Sequence, residues 1–305
     1  MPLTVTVVTS CTQRKAVSAS ADLDCLPATE GLKALANAWR SLVFSAPLVG
    51  TAANLYQGRS ISDTATVATH LSSQWYVVSA GLGLVSAEQP VPSYDCTVAN
   101  GSKLCNRLAH LRASDADWWS ALTESQPHPL SRLISQGPTL LALPSSYLRM
   151  VLQDLSRVSR SEAEYLRIFT STAGAAIVPD RLTACVMPYD DRLESVPGYS
   201  GTRTDFAQRA LRHFVLKLNA TRLPRDEARE RVKTALLLRP RPSRTQGVRL
   251  SDDEICKALL TQWTRHEGRS TRLLRYLRDE AGISCEQKRF SRIWQSIVSG
   301  MKVRS

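Results

Sequence analysis

Thr4-Val5-Thr6-Val7-Val8-Thr9-Ser10-Cys11-Thr12-Gln13-Arg14-Lys15 decides how this chain reads. Its first part is β-branched and apolar, which predicts a buried strand over residues 4–8. The chain then turns polar at once, as a loop leaving a strand end does. Three other pieces repeat the arrangement. Ser79-Ala80-Gly81-Leu82-Gly83-Leu84 follows an apolar run at 76–78. Pro92-Ser93-Tyr94-Asp95 sits on the loop beyond it. Pro188-Tyr189-Asp190-Asp191-Arg192 follows a run at 184–187. In an open α/β sheet the loops after the strand ends converge on one edge, where ligands bind. These pieces are therefore expected to line one pocket.

Working outward, helical spacing of Leu32, Leu35, Ala36 and Trp39 predicts a helix over 28–43. A second is expected from Pro47 to residue 56 and a third over 62–71. A strand at 75–79 ends in the Gly81-Leu82-Gly83 turn. Two or three short helices follow over 102–135, one capped by Ser114 ahead of Asp115 and Asp117. A strand at 139–143 leads through Pro144 to a cap at Ser145 and a helix over 146–158. A helix at 161–171 and strands at 175–178 and 184–187 complete the pattern. Strands alternating with helices at this spacing predict an α/β fold, a mostly parallel sheet covered by helices on both faces.

Of 305 residues, 43% are hydrophobic and 22% charged, an ordinary globular balance that supports one large domain and a smaller one. No apolar run approaches the roughly 20 residues that span a bilayer, and the N-terminal apolar stretch lacks a charged leader. Seven cysteines, an odd number without a Cys-x-x-Cys pair, argue against a disulfide framework, a zinc ribbon or an iron–sulfur cluster. A cytoplasmic protein without metal, cofactor or membrane partner is expected. The charge is one-ended. Residues 1–200 hold 15 Lys and Arg against 16 Asp and Glu, whereas residues 201–305 hold 24 against 11. That is the electrostatic footprint of a polyanion binder and predicts contact with nucleic acid, the alternative being a merely solvated surface.

The basic end reads as all-α. Amphipathic helices are expected over 204–218 and 225–238, followed by a Pro- and Arg-rich linker at 239–250. Ser251 and Glu254 form a capping box that opens a helix to about residue 266. Ser270 is expected to cap a second helix, with Leu273, Leu274 and Leu277 on one face. Gly282 makes a turn, and Ser284 with Gln287 opens a third helix with Phe290, Ile293, Trp294 and Ile297 inward. Lys288, Arg289 and Arg292 fall on its other face. The whole resembles a helix-turn-helix module, or a bundle used for dimerisation. Domain limits of 1–222 and 223–305 follow, with Arg203, Arg269, Lys288, Arg289 and Arg292 as DNA contacts.

Asp95, stiffened by Pro90 and Pro92, suits a carboxylate that activates water or opposes a sugar cation, or one that merely caps a turn. Tyr94 beside it suits stacking on a flipped base. Gln13 offers a donor and an acceptor to a base edge, and Lys15 a charge to phosphate. Ser10, Cys11, Ser79, Gly81, Ser145, Asp190 and Arg192 complete the expected pocket. A Cys11 nucleophile has no His near it in sequence, and Asp190-Asp191-Arg192 also reads as an exposed salt-bridged turn. No Gly-x-x-x-x-Gly-Lys-Ser/Thr loop is present, so transfer from ATP is disfavoured.

Ser10-Cys11-Thr12-x-Arg14-Lys15, Asn54-Leu55-Tyr56-Gln57-Gly58, Val78-Ser79-Ala80-Gly81-Leu82-Gly83-Leu84 and Pro92-Ser93-Tyr94-Asp95-Cys96-Thr97 together resemble a bacterial domain family over about residues 3–218. That family is similar to YaaA-like peroxide-stress proteins and the accessory domain of archaeosine synthase, within the uracil-DNA-glycosylase-like superfamily. The resemblance implies a three-layer α/β/α domain with a central four-stranded parallel sheet, and a base-excising or base-binding function. The Gly-Gln-Asp-Pro-Tyr and His-Pro-Ser motifs of uracil glycosylases are absent, so Asp95 or the Gln13 loop would carry catalysis. The expected activity is a DNA glycosylase that leaves an abasic site at a modified base of the phage hydroxymethylcytosine type, in anti-phage defence. A non-catalytic DNA-binding stress protein and an RNA base-exchange enzyme are the alternatives.

Overall fold

β1 (Thr6–Ser10) forms two residues later than expected, and Val7, Val8 and Thr9 are wholly buried because the strand lies at the middle of its sheet. The computed structural model describes residues 4–27, 29–242 and 248–302, without the side chains of Asp279, Lys288, Met301 and Lys302. β2 (Trp75–Ser79) pairs parallel with β1, Val7 opposite Trp75. On the other side β4 (Thr139–Ala142) pairs parallel with β1, Val7 opposite Leu140, and β5 (Leu166–Phe169) lies parallel beyond it. β3 (Gly83–Ser86) closes the far edge antiparallel to β2, Ser79 opposite Gly83. The sheet runs β3-β2-β1-β4-β5. Four parallel strands thus gain a fifth, antiparallel one, because Gly83 turns back at a φ of +77° that a side chain disfavours.

Several helices form where the sequence places them. α1 (Leu32–Ser45) begins four residues later than expected, and Ala28 lies outside the described residues. α2 (Arg59–Leu71) starts behind Gly58 at φ +111°. α3 (Lys103–His110), α4 (Asp115–Leu122) and α5 (Pro129–Ile134) fill the expected 102–135 stretch, with Ser114 and Asp117 making a capping box for α4. α6 (Ser145–Met150) has Pro144 at its cap position, without a side-chain capping bond, and not Ser145, which is its first residue; the expected long helix breaks at Val151 before a short turn, Leu152–Leu155.

Other expectations are corrected. The segment expected as a helix from Pro47 begins as an extended piece, Leu48–Thr51, paired with Pro90–Pro92, and becomes helical only over Ala52–Leu55. The helix expected over 161–171 is one turn, Arg160–Ala163, followed by β5. Every residue of β5 is buried, Arg167 included, and four residues are too few to show a period that separates strand from helix. The strands expected at 175–178 and 184–187 are helical turns, Thr172–Ala175 and Asp180–Cys185. Only Val186 keeps a parallel bridge, to Ile168.

The chain divides into two compact units, Met1–Pro242 and Ser243–Ser305. α7 (Phe206–Arg212), continued by a wider turn at His213–Lys217, and α8 (Arg225–Leu237) both belong to the first. Ala228, Val232 and Leu236 bury one face of α8 in its core, so the boundary falls at 242 and not at 222.

In the second unit α9 (Asp252–Thr261) opens with the expected Ser251–Glu254 box. α10 (Ser270–Arg275) has Arg269, not Ser270, at its cap and runs on through a wider turn, Tyr276–Glu280. α11 (Gln287–Lys302) follows a turn at Gly282, φ +61°. Ile255, Leu259, Leu273, Leu277, Ile283, Phe290, Ile293 and Ile297 form the core of this unit. Trp294 is only half-buried, and its Nε1 donates to the Gly268 carbonyl at 2.9 Å. Among the described residues no helix is long and apolar enough to cross a membrane.

Candidate functional site

The chain leaves β1 to build β2 on one side and later returns to build β4 on the other. The loops after β1 and β4 therefore part at this switch point, where crevices form in open parallel sheets. A cleft of about 360 Å³ lies there. Residues 10–14 and the α6 entry (Pro144, Ser146, Tyr147) form two walls; residues 57–60 at the start of α2, Thr97 and Ala99, and Thr204-Asp205 before α7 form the rest. The volume is at the lower end of what small-molecule sites occupy and suits a nucleobase with part of its sugar.

The β1 loop is fixed from within. Thr12 Oγ1 donates to the Arg14 carbonyl at 2.8 Å and accepts the Gln57 amide at 3.2 Å, which leaves Gln13 and Arg14 exposed at the cleft. Cys11 Sγ and the Tyr147 hydroxyl stand 2.9 Å apart and join the two walls. Lys15 lies just outside the lining with its Nζ 4.4 Å from the centre of the Tyr94 ring. Burial lowers its pKa, and the neighbouring Asp95 carboxylate opposes that shift.

At the start of α2 the amides of Ile61 and Ser62 both bond to the Gly58 carbonyl. The amides of Arg59 and Ser60 have no such partner among the described residues and add the positive end of a 13-residue helix to the cleft wall. The Arg59 guanidinium itself is committed to the Gly198 carbonyl (2.9 Å), the Ser200 carbonyl and Asp63.

Asp205 is the carboxylate of the lining among the described residues. Its Oδ1 accepts from the Thr202 amide at 2.9 Å and from Arg209 Nε at 2.7 Å. Arg209 is fully buried and also donates to the Tyr199 and Thr202 carbonyls and to Glu194, so it orders the 194–205 loop. A Cβ at Gly201 would stand 2.6 Å from Arg209 Nε, which is why that loop position needs glycine. Among the described residues nothing donates to Asp205 Oδ2, which leaves that oxygen for a ligand.

The structure brings Ser10, Cys11 and Gln13 together at the cleft and puts Ser145 between two lining residues, Pro144 and Ser146. It corrects the placement of Ser79, Gly81 and Tyr94. The Tyr94 hydroxyl lies 2.5 Å from Ser79 Oγ and 2.7 Å from the Tyr56 hydroxyl, all buried. Edge contacts with Trp39 and Tyr56 at 6.3 and 6.4 Å clamp the Tyr94 ring, so no base can stack on it. Asp95 does not line the cleft. It is half-exposed and sits 3.6 Å from Lys103, whose ammonium also meets Asp22 at 2.7 Å and Asp24 at 2.6 Å.

Asp190 and Arg192 are likewise outside the lining. They pair at 2.9 Å, and Arg241 stands 3.5 Å from the same carboxylate. Arg203 is exposed next to Thr204. In the second unit Arg269 pairs with Glu267, Arg289 and Arg292 pair with Asp252, and the Lys288 side chain lies outside the described residues. Sequence reasoning missed Asp205, Arg209 and Tyr147. The Asp205-x-x-x-Arg209 spacing was a readable i,i+4 pair, whereas nothing in sequence ties Tyr147 to Cys11. Comparison with protein-family models, with curated proteins and with solved structures finds no match.

Proposed function

We propose that this chain hydrolyses the N-glycosidic bond of a modified base in DNA, of the hydroxymethylcytosine type, and leaves an abasic site. The observation that carries the reading is the lining of the strand-end cleft. It joins an exposed amide side chain, Gln13, to a carboxylate held by a buried arginine, Asp205, and to the uncapped start of α2. Gln13 has the donor and acceptor that a base edge needs. Asp205 Oδ2 opposes the positive charge that develops on the sugar as the bond to the base lengthens, and it holds the water that then adds to the anomeric carbon. The base departs with a proton drawn from that water. Arg14 and the free amides of Arg59 and Ser60 meet a flanking phosphate.

A base must leave the duplex to enter a cleft of this size. The net charge of +12 favours the encounter with DNA. The α/β unit is read as the three-layer glycosylase-like domain, and the second unit as a helix-turn-helix-like grip. Defence against phages with modified DNA is the setting that this substrate implies.

The test is incubation of the full chain with duplexes carrying cytosine or hydroxymethylcytosine, followed by alkali. Scission at the modified position is expected, reduced about 10²-fold or more by Asp205→Asn. Absence of abasic sites on every duplex and single strand overturns the reading. One observation favours a second: Asp205 Oδ1 is wholly used by Thr202 and Arg209, as in a structural carboxylate. The cleft would then bind a nucleotide without cleaving it, and binding without scission is its signature.

A further inference from the structure

We infer that the arginine row of α10 and its continuation is the nucleic-acid contact of the second unit, and that Arg289 of the last helix is a structural arginine instead. This rests on the reading that the chain binds nucleic acid. Arg269, Arg272, Arg275 and Arg278 recur every third residue, and Arg265 precedes them. Between 265 and 278 the sequence holds five arginines and one carboxylate, Glu267. At 3.6 residues per turn, steps of three drift by about 60°, which puts Arg275 opposite the buried pair Leu273 and Leu277, Arg272 beside it, and Arg269, at the helix cap, toward the Leu273 edge. From Arg269 to Arg275 the rise is about 9 Å, and a duplex carries a phosphate for about every 1.7 Å of its axis. The row therefore faces several phosphates at once, and guanidinium groups match them with paired donors.

The pairing of these residues agrees. Arg269 and Arg272 share Glu267 at 3.0 and 2.9 Å, with side chains about half exposed. Such surface pairs are weak and exchange readily for phosphate. Arg275 makes no ion pair among the described residues. On α11 Arg289 is held differently. It is 30% exposed and gives Asp252 and the Leu250 carbonyl bonds of 2.7 Å, fastening α11 to the start of α9. Arg292 meets the same carboxylate at 3.1 Å from an exposed side chain, so the contrast with the α10 row is carried by Arg289. An anionic membrane is a poorer partner for the row, because a surface-lying helix needs an apolar face to insert and that of α10 is already spent in the core.

The experiment measures binding of the full chain to a fluorescent duplex as a function of salt. R269Q/R272Q/R275Q should lower the slope of log affinity against log salt by about 2 to 3 while its melting profile stays that of the parent. R289Q, with its folding checked by the same melting profile, should change that slope by less than about 0.5. A triple variant that keeps the parental slope overturns the inference while DNA binding itself stands. R289Q lowering the slope by a full unit also overturns it, in favour of α11. A parent with no salt-dependent binding to duplex or single strand removes both the inference and the reading beneath it. Binding only to vesicles of phosphatidylserine in phosphatidylcholine, lost in the triple variant, assigns the row to a membrane instead.

Discussion

The indole Nε1 of Trp39 donates to the carbonyl oxygen of Gly81 at 2.7 Å, deep in the core. Trp118 does the same for the Ala80 carbonyl at 2.8 Å, and Ser79 Oγ accepts the amides of Gly81 and Leu82. The carbonyls of Ala80 and Gly81 and the amides of Gly81 and Leu82 are therefore satisfied from within the protein and do not face a ligand. The role of this turn is to set the β2–β3 reversal that frames the sheet edge.

This packing predicts a sharp response at Gly81. A Cβ there would stand 2.5 and 2.6 Å from two atoms of the Tyr94 ring, which Trp39 and Tyr56 prevent from moving aside. Gly81→Ala should cost about 1–3 kcal/mol of stability, the range for forcing extra volume into a packed core. Urea unfolding should show a lower midpoint, with near-ultraviolet circular dichroism altered by the displaced aromatic rings. An unchanged midpoint would mean that the tyrosine is not clamped.

Asp154 makes a second prediction. Its carboxylate is wholly buried and accepts the amides of Leu130 (2.8 Å) and Ser131 (3.3 Å), Trp119 Nε1 at 3.3 Å and the His128 ring. It thus caps α5 from a distant segment, where His128 holds a left-handed φ of +56° and gives no side-chain cap of its own. Asp154→Ala leaves several buried donors unpaired and should cost about 2–3 kcal/mol. Equilibrium unfolding measures it, and a loss below about 0.5 kcal/mol would show that water replaces the carboxylate freely.

How far the sequence was legible follows from the same contacts. β1, β2 and β4 were readable because residues such as Val7, Val77 and Leu140 fill both faces of a parallel sheet with apolar side chains. β5 was not, since Leu166-Arg167-Ile168-Phe169 is too short to show a period and a capped turn leads directly into it. The strand-end crevice and the Gln13 loop were foreseen from strand and loop order alone. Ser79, Gly81 and Tyr94 were misassigned because polar and glycine residues next to a strand end look alike whether they meet a ligand or satisfy buried backbone. Asp205 escaped notice because its place at the cleft depends on Arg209 and the folded 194–205 loop, which no local pattern reveals.

His213 should make stability depend on pH. Burial, with Lys217 and Arg239 nearby, lowers its pKa from 6.5 to about 4, and Nδ1 lies 2.9 Å from the Tyr189 hydroxyl. The folded protein keeps the ring neutral while the unfolded chain takes up a proton below about 6.5. Stability is therefore flat in this group above 6.5 and falls as the pH drops toward 4, by roughly 3 kcal/mol at most. Urea midpoints of the parent and His213→Gln at pH 7 and 4.5 test it. The parent should lose more than the variant, and equal losses would show that His213 is not the group responsible.

The cleft and the sequence disagree about which carboxylate acts, and paired substitutions separate them. Asp95 is half-exposed, lies outside the lining and shares Lys103 with Asp22 and Asp24, so solvent and a lysine already screen its field. Asp205 lines the cleft, is only 12% exposed at its side chain, and is held in place by Arg209. A charge fixed in a sheltered site opposes a developing cation far better than one in water. Asp95→Asn should therefore leave base excision within about threefold of the parent, while Asp205→Asn removes about 10²-fold or more. Gln13→Ala should raise KM more than it lowers kcat if its amide holds the base in ground state and transition state alike. Single-turnover excision on a modified duplex, with folding checked by thermal melting, measures all three. Should Asp95→Asn abolish excision while Asp205→Asn spares it, the reacting sugar lies on the Lys103 side of the domain and the strand-end cleft is not the active site.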